Sequence, residues 1–126
     1  WPALKTWTNI SYIEVRLEDT DAFMPLVPRN QVAAGFDWQA TARLSLTASV
    51  GYTGKRFDGN DFTNKRFKRL DSYAVVDAKL RWAGNGFSAG FGANNLTDAV
   101  YATAGFSNTL YPMPPRHFMF ELSVEI

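Results

Sequence analysis

Several residue groups in this sequence have types and spacings that chemistry could use. Asp77, Lys79 and Arg81 alternate along one run, so a strand would bring an acid and two cations to the same face. Acid–base catalysis also needs a pocket and a partner nucleophile or histidine, and the surrounding residues offer neither, so these charges read better as solvated groups on a wall. Gly90-Phe91-Gly92 with Asn95 is a fragment of a dinucleotide fingerprint, but it lies inside an alternating run with no helix after it, so the phosphate-cradling geometry is missing. His117 is the one histidine and there is no cysteine, which leaves a metal site short of ligands. Ser and Thr are plentiful but none has a detectable base, and Asn9-Ile10-Ser11 and Asn95-Leu96-Thr97 match glycosylation sequons by chance. The segment that keeps its interest is Lys55 to Asp71. It carries Lys55, Arg56, Lys65, Arg66, Lys68 and Arg69 against Asp58, Asp61 and Asp71, with Phe57, Phe62 and Phe67 interleaved. Cations interleaved with aromatic rings suit an anionic or aromatic ligand; a solvated loop and a contact with phosphate headgroups are the plainer readings. The ligand-contact candidates are Arg56, Phe62, Lys65, Arg66, Lys68 and Arg69, joined by Tyr101 and Tyr111 further along; no catalytic residue, bound cofactor or resident metal is expected.

The elements that must position these residues are strands. From Ile13 the apolar residues Ile13, Val15 and Leu17 alternate with Tyr12, Glu14 and Arg16, and Trp7 extends that phase backwards. Val32, Ala34, Phe36 and Trp38 share one face of a second run; Leu44, Leu46, Ala48, Val50 and Tyr52 share one face of a third. Ala74 to Trp82, Phe87 to Ala93 and Phe118 to Ile126 repeat the pattern, so the expectation is an all-β, antiparallel up-and-down meander of about six strands without a helix. Length and composition agree: 126 residues, 46% apolar and 20% charged, describe one ordered domain. Thirteen Lys plus Arg against twelve Asp plus Glu exclude a global field directed at nucleic acid. No run approaches the roughly 18 apolar residues of a spanning helix, which excludes helical insertion but not a barrel. The start at Trp1-Pro2, without an initiator Met or a basic and apolar leader, gives the expectation of an excised or processed piece.

The connections alternate in length. Glu18 to Arg29, Lys55 to Asp71 and Thr97 to Arg116 are long, whereas Trp38 to Arg43 and Trp82 to Phe87 have hairpin length. Short turns then fall at one end of the meander and long loops at the other, the layout of outer-membrane β-barrels. Alternation alone cannot choose between a lipid-facing apolar phase and the buried phase of a sandwich. Two features favour lipid: Trp38, Trp82 and Phe87 lie on the apolar face beside the short turns, where an interfacial girdle belongs, and Gly35, Gly51, Gly90 and Gly92 lie on the polar face, where they leave room inside a barrel. Six strands are too few to close a membrane barrel, which calls for further strands from outside this chain or from several copies sharing one barrel.

Four motifs occur in order: Val27-Pro28-Arg29-Asn30, Asp71-Ser72-Tyr73-Ala74-Val75-Val76-Asp77, Asn94-Asn95-Leu96-Thr97-Asp98-Ala99-Val100-Tyr101, and Tyr111-Pro112-Met113-Pro114-Pro115-Arg116-His117-Phe118. Together they resemble the C-terminal end of TonB-dependent outer-membrane receptors, with Asn30 where His is usual, Thr97 where Phe is usual, and Ile126 where an aromatic end is expected. The resemblance implies that residues 1–126 are the C-terminal strands of a barrel of about 22 strands, without its plug domain. It implies a bacterial outer-membrane receptor importing a scarce ligand, a ferric siderophore or similar metal chelate, with TonB-derived energy. Its implied partners are outer-membrane lipid, the remaining strands and plug of the same receptor, and the TonB complex reached through that plug. It also implies that Asn94 to Tyr101 is a structural motif at the extracellular end of the penultimate strand. The alternative reading is a soluble β-sandwich or calyx binding an apolar small molecule in its core.

Overall fold

A computed structural model describes residues 3–18 and 21–125. Among them are eight strands and no helix: β1 (Ala3–Tyr12), β2 (Asn30–Gln39), β3 (Leu44–Thr53), β4 (Tyr73–Ala83), β5 (Phe87–Asn94), β6 (Ala102–Phe106), β7 (Thr109–Pro112) and β8 (His117–Val124). Six form one antiparallel sheet in the order β1-β2-β3-β4-β5-β8, while β6 and β7 make a separate hairpin inside the last long connection. The sheet is an open meander. β8 pairs through Phe87↔Val124 to Asn94↔His117 with β5 on one side, and neither β8 nor β1 has a second neighbour among the described residues. The expected continuation of the last strand to Ile126 ends outside the described residues.

The register confirms the two phases from β2 onward. Trp38 pairs with Leu46, Leu46 with Leu80, and Leu80 with Phe91, which in turn opposes Phe120, so a single apolar row crosses five strands. The next row toward the long loops runs Phe36, Ala48, Ala78, Ala93, Phe118. At the short turns Trp82 lies against Phe87 with ring centroids 4.9 Å apart, giving the aromatic cluster expected there. On the opposite face, Ser49 pairs with Asp77, Lys79 with Gly92, and Gly90 with Glu121.

The first strand corrects the sequence reading. Pairing ends at Tyr12, so Ile13, Val15 and Leu17 do not continue β1; they enter a loop tied by the Ile13 N–H to Arg29 O and by an isolated bridge between Arg16 and Phe23. Trp7 pairs with Gly35 and lies on the polar face. A Cβ on Gly35 would stand 2.6 Å from Trp7 Cζ2, so the indole occupies the volume that the glycine leaves free. The outward phase of β1 is therefore Leu4, Thr6, Thr8, Ile10 and Tyr12, opposite Trp38, Phe36, Ala34, Val32 and Asn30. Periodicity assigned the wrong face because two apolar runs on either side of Tyr12 were joined across the end of a strand.

Neither face of the sheet forms a core. Ile10 is 76% exposed, Phe120 71% and Leu122 61%, and no second sheet covers that surface among the described residues, so the sandwich or calyx reading finds no counterpart. An apolar surface this continuous is stable only against lipid or a partner. The buried side chains instead gather toward the long-loop end, where the apolar Leu70 and Ala93 are joined by the polar Arg56, Asp58, Asp61 and Asn95.

Candidate functional site

At the long-loop end the connections become ordered structure. β5 stops at Asn94 because Asn95 takes a left-handed conformation (φ 53°) and its side chain turns the chain back: Asn95 Oδ1 accepts the Ala99 N–H at 2.8 Å and Nδ2 donates to Ala99 O at 2.9 Å. Asp77 Oδ1 accepts the Asn95 N–H at 2.9 Å, and Asp98 Oδ1 accepts the Arg116 N–H at 2.9 Å. The Asn94 to Tyr101 motif is therefore a strand terminator that returns the chain to β8. Asp77 is engaged in that structure, and Lys79 Nζ meets Glu121 Oε2 at 3.4 Å across β5, so the alternating charges form wall contacts. His117 lies between Pro115 O, 3.0 Å from Nδ1, and Asn94 Nδ2, 3.2 Å from Nε2. No group of three or more His, Cys, Asp or Glu that could hold a metal exists among the described residues.

The loop from Lys55 to Asp71 is built on two buried carboxylates. Asp58 accepts N–H groups from Ser107 (2.7 Å), Asn108 (2.8 Å) and Asn60 (2.9 Å). Ser107 and Asn108, at φ 52° and 65°, form the turn between β6 and β7, so Asp58 fastens the loop to that hairpin. Asp61 accepts three consecutive N–H groups, from Lys65 (3.2 Å), Arg66 (3.1 Å) and Phe67 (3.1 Å). Burial pushes both carboxyls up, but the backbone donors outweigh it, and each is held below the ordinary carboxylate value.

The sequence candidates separate in space. Arg56 is buried at 3% exposure: its guanidinium donates to Gly54 O at 3.2 Å and Ala102 O at 2.6 Å and lies over the Tyr73 ring, and burial lowers its pKa. It ties the base of the loop to the start of β6 and is not part of the exposed loop surface. Tyr101 is half-buried on Tyr73, with centroids 4.4 Å apart, and burial raises its pKa. Tyr111 is exposed against the edge of Phe106. Phe62, Lys65, Arg66, Lys68 and Arg69 are each exposed on the loop, with Arg66 over Phe67 and Arg69 over Phe57. No described carboxylate lies within ion-pair distance of these four cations. The first long loop adds Phe23, stacked on Phe57 and flanked by Arg16 and Arg29 at 4.4 and 4.2 Å. Sequence reasoning counted Asp58 and Asp61 as acids balancing the loop cations, and it missed Phe23 and Arg29 because stacking across loops leaves no periodic mark. The run Asp58-Gly59-Asn60-Asp61 did carry a turn signal.

An antiparallel wall with an apolar outer face, short turns at one end and interlocked long loops at the other is part of a transmembrane β-barrel. The chain belongs to the TonB-dependent receptor β-barrel family: residues 1–96 match the model described as "TonB dependent receptor-like, beta-barrel". It is 31% identical over 111 residues to the ferric enterobactin receptor of Pseudomonas aeruginosa, covering 81% of this chain and 15% of that protein. A solved structure of a mutant of the P. aeruginosa ferric enterobactin receptor superposes with TM-score 0.76 at 26% identity, covering 96% of this chain and 20% of the other. The closed form of the ferric-catecholate import receptor Fiu from Escherichia coli superposes with TM-score 0.79 at 20% identity over 97% of this chain and 19% of that one, which shows shared fold. The chain thus spans about a fifth or less of the length of these relatives. Family barrels sit in the bacterial outer membrane, and this wall is placed there with them.

Proposed function

We propose that this chain supplies the C-terminal wall and part of the extracellular loop system of a receptor that imports a ferric siderophore or similar anionic iron chelate with TonB-derived energy. The observation that carries this reading is the exposure of Phe62, Lys65, Arg66, Lys68 and Arg69 within one loop whose Asp58 and Asp61 are buried on backbone amides, so that the four cations have no ion-pair partner among the described carboxylates. A chelate carrying several negative charges and aromatic rings is recognised by such a surface through charge-assisted hydrogen bonds and ring contacts. The name of the 31% identical relative, a ferric enterobactin receptor, supports the same ligand class. Tyr111, exposed on the neighbouring hairpin, and Tyr101, half-buried on Tyr73, are the further contact candidates.

In this reading residues 1–126 form the last strands of the barrel. The free edge of β8 pairs with the barrel's first strand and that of β1 with the strand before it, since an unpaired edge in hydrocarbon leaves backbone groups unsatisfied. The polar face, with Lys79, Glu121 and its glycines, looks onto a plug supplied elsewhere in the receptor, and that plug contacts the TonB complex. The test is uptake of radioactive iron, presented as an iron(III) tris-catecholate, by cells whose intact receptor carries Lys65, Arg66, Lys68 and Arg69 all replaced by Gln. Uptake should fall at least about tenfold, as the sum of several exposed charge contacts, with barrel assembly unchanged. Unchanged uptake would remove this loop from ligand recognition.

A further inference from the structure

We infer that Asp58 and Asp61 are positioning residues for anion capture: they hold their own carboxylates inside the loop on backbone amides and set the cations of residues 65–69 outward on a platform clasped to the β6–β7 turn. The inference rests on the anionic-chelate reading above and adds the residues that would make that surface selective for charge.

The geometry is specific. Three successive N–H groups converging on one point make a concavity of the kind that ordinarily binds an external anion. Here Asp61 fills it from within, at 3.1 to 3.2 Å from Lys65, Arg66 and Phe67, with Thr63 Oγ1 also at 3.4 Å. The amides point inward, and the Lys65 and Arg66 side chains are left exposed. Asp58 does the same between elements, and the junction is doubled by Asn60 Nδ2 to Ser107 Oγ (2.9 Å), the Gly59 N–H to Gly105 O (2.7 Å) and the Lys68 N–H to Asn108 Oδ1 (3.0 Å). Both carboxylates are 0% exposed, so of the acids in the segment only Asp71 shares the surface with the cations. Had Asp58 or Asp61 stood on that surface, it would have paired with the neighbouring Lys or Arg and weakened the pull on an anion.

Simple electrostatics and positioning predict opposite signs, which makes the inference testable. Removing an acid close to an anion site should tighten binding if the acid acts only through its charge. If Asp61 positions the cations, its removal should loosen binding. The experiment uses the intact receptor in detergent as wild type, Asp61→Ala, Asp61→Asn and Asp58→Ala. It measures affinity by fluorescence quenching for a trianionic iron(III) tris-catecholate and an uncharged iron(III) tris-hydroxamate, with tryptic cleavage at Lys65 to Arg69 as a ligand-free readout. Asp61→Ala should weaken the trianionic chelate about tenfold, with little change for the uncharged one. Asp61→Asn, which keeps an acceptor oxygen, should recover part of the loss, and both Ala variants should speed cleavage within the loop. Tighter binding of the anion, equal loss for both chelates, or unchanged tryptic resistance would overturn the inference. Failure of the wild type to bind either chelate would overturn the anionic-chelate reading and the selectivity role with it, whereas the tryptic arm shows separately whether the carboxylates hold the loop.

Discussion

Gly35 shows how much one residue decides. Its missing side chain admits the Trp7 indole to the polar face, and an added Cβ would also stand 2.7 Å from Ala48 O in the next strand. Gly35→Ala should therefore overpack the sheet and destabilise the assembled barrel by about 1 to 3 kcal/mol, read as a lowered urea midpoint of the intact receptor. Adding Trp7→Ala should recover only part of that loss, because the backbone oxygen remains. At the loop end, a carboxyl whose folded pKa is depressed stabilises the folded form above its unfolded value and loses that contribution as pH falls through the folded one. Asp58 and Asp61 are both depressed from 3.8 by backbone donors that outweigh burial. Amide exchange at Ser107, Asn108 and Lys65 to Phe67 should stay slow from neutral pH to about 4 and become fast only below that. Fast exchange already at pH 6 would show that the carboxylates do not hold those amides.

At the scale of elements, strand register sets which residues meet lipid. Ala78 lies in the apolar row between Ala48 and Ala93, and Lys79 lies on the other face opposite Gly92. Ala78→Arg in the intact receptor should cost about 2 to 4 kcal/mol if that row is near the bilayer midplane, whereas Lys79→Arg should be nearly neutral. Equal tolerance at the two sites, measured by urea unfolding in lipid vesicles, would refute the facing assignment. The β6–β7 hairpin is an element of another kind, since among the described residues its strands pair with each other alone and it meets the Lys55 to Asp71 loop through its turn and through Ala102 O and Gly105 O. Replacing residues 102–112 by a short flexible linker should leave membrane assembly intact but free the Lys55 to Asp71 loop, seen as faster tryptic cleavage there.

For the molecule as a whole, the open sheet exposes both an apolar face and two strand edges. Phe118, Phe120, Leu122 and Val124 stand 55%, 71%, 61% and 62% exposed on a strand whose outer edge has no partner among the described residues. Such an edge is a template for intermolecular pairing. The isolated chain should therefore sediment as an aggregate in water and disperse only with detergent or lipid; a soluble monomer with a sharp near-ultraviolet circular dichroism spectrum would contradict the barrel assignment.

The sequence by itself determined the wall. From Val32 onward, an apolar residue at every second position, the short turns after Trp38 and Trp82, and the long connections between were enough to read strands and faces, because period and loop length are local properties of the chain; the membrane setting rested also on the aromatics beside the short turns, the glycines of the polar face and the four motifs. The Asn94 to Tyr101 motif was legible only through the family resemblance, and the structure shows its side-chain hydrogen bonds closing between Asn95 and Ala99. Only the tertiary structure decided the face of Trp7, which depends on a glycine in the next strand. The same holds for the division of the loop charges, where Arg56, Asp58 and Asp61 turn inward to meet carbonyls and amides while Lys65, Arg66, Lys68 and Arg69 stay outside. Asp58 finds its partners 49 and 50 residues away at Ser107 and Asn108, and a contact at that separation follows from how two loops meet above the sheet and not from any pattern along the chain.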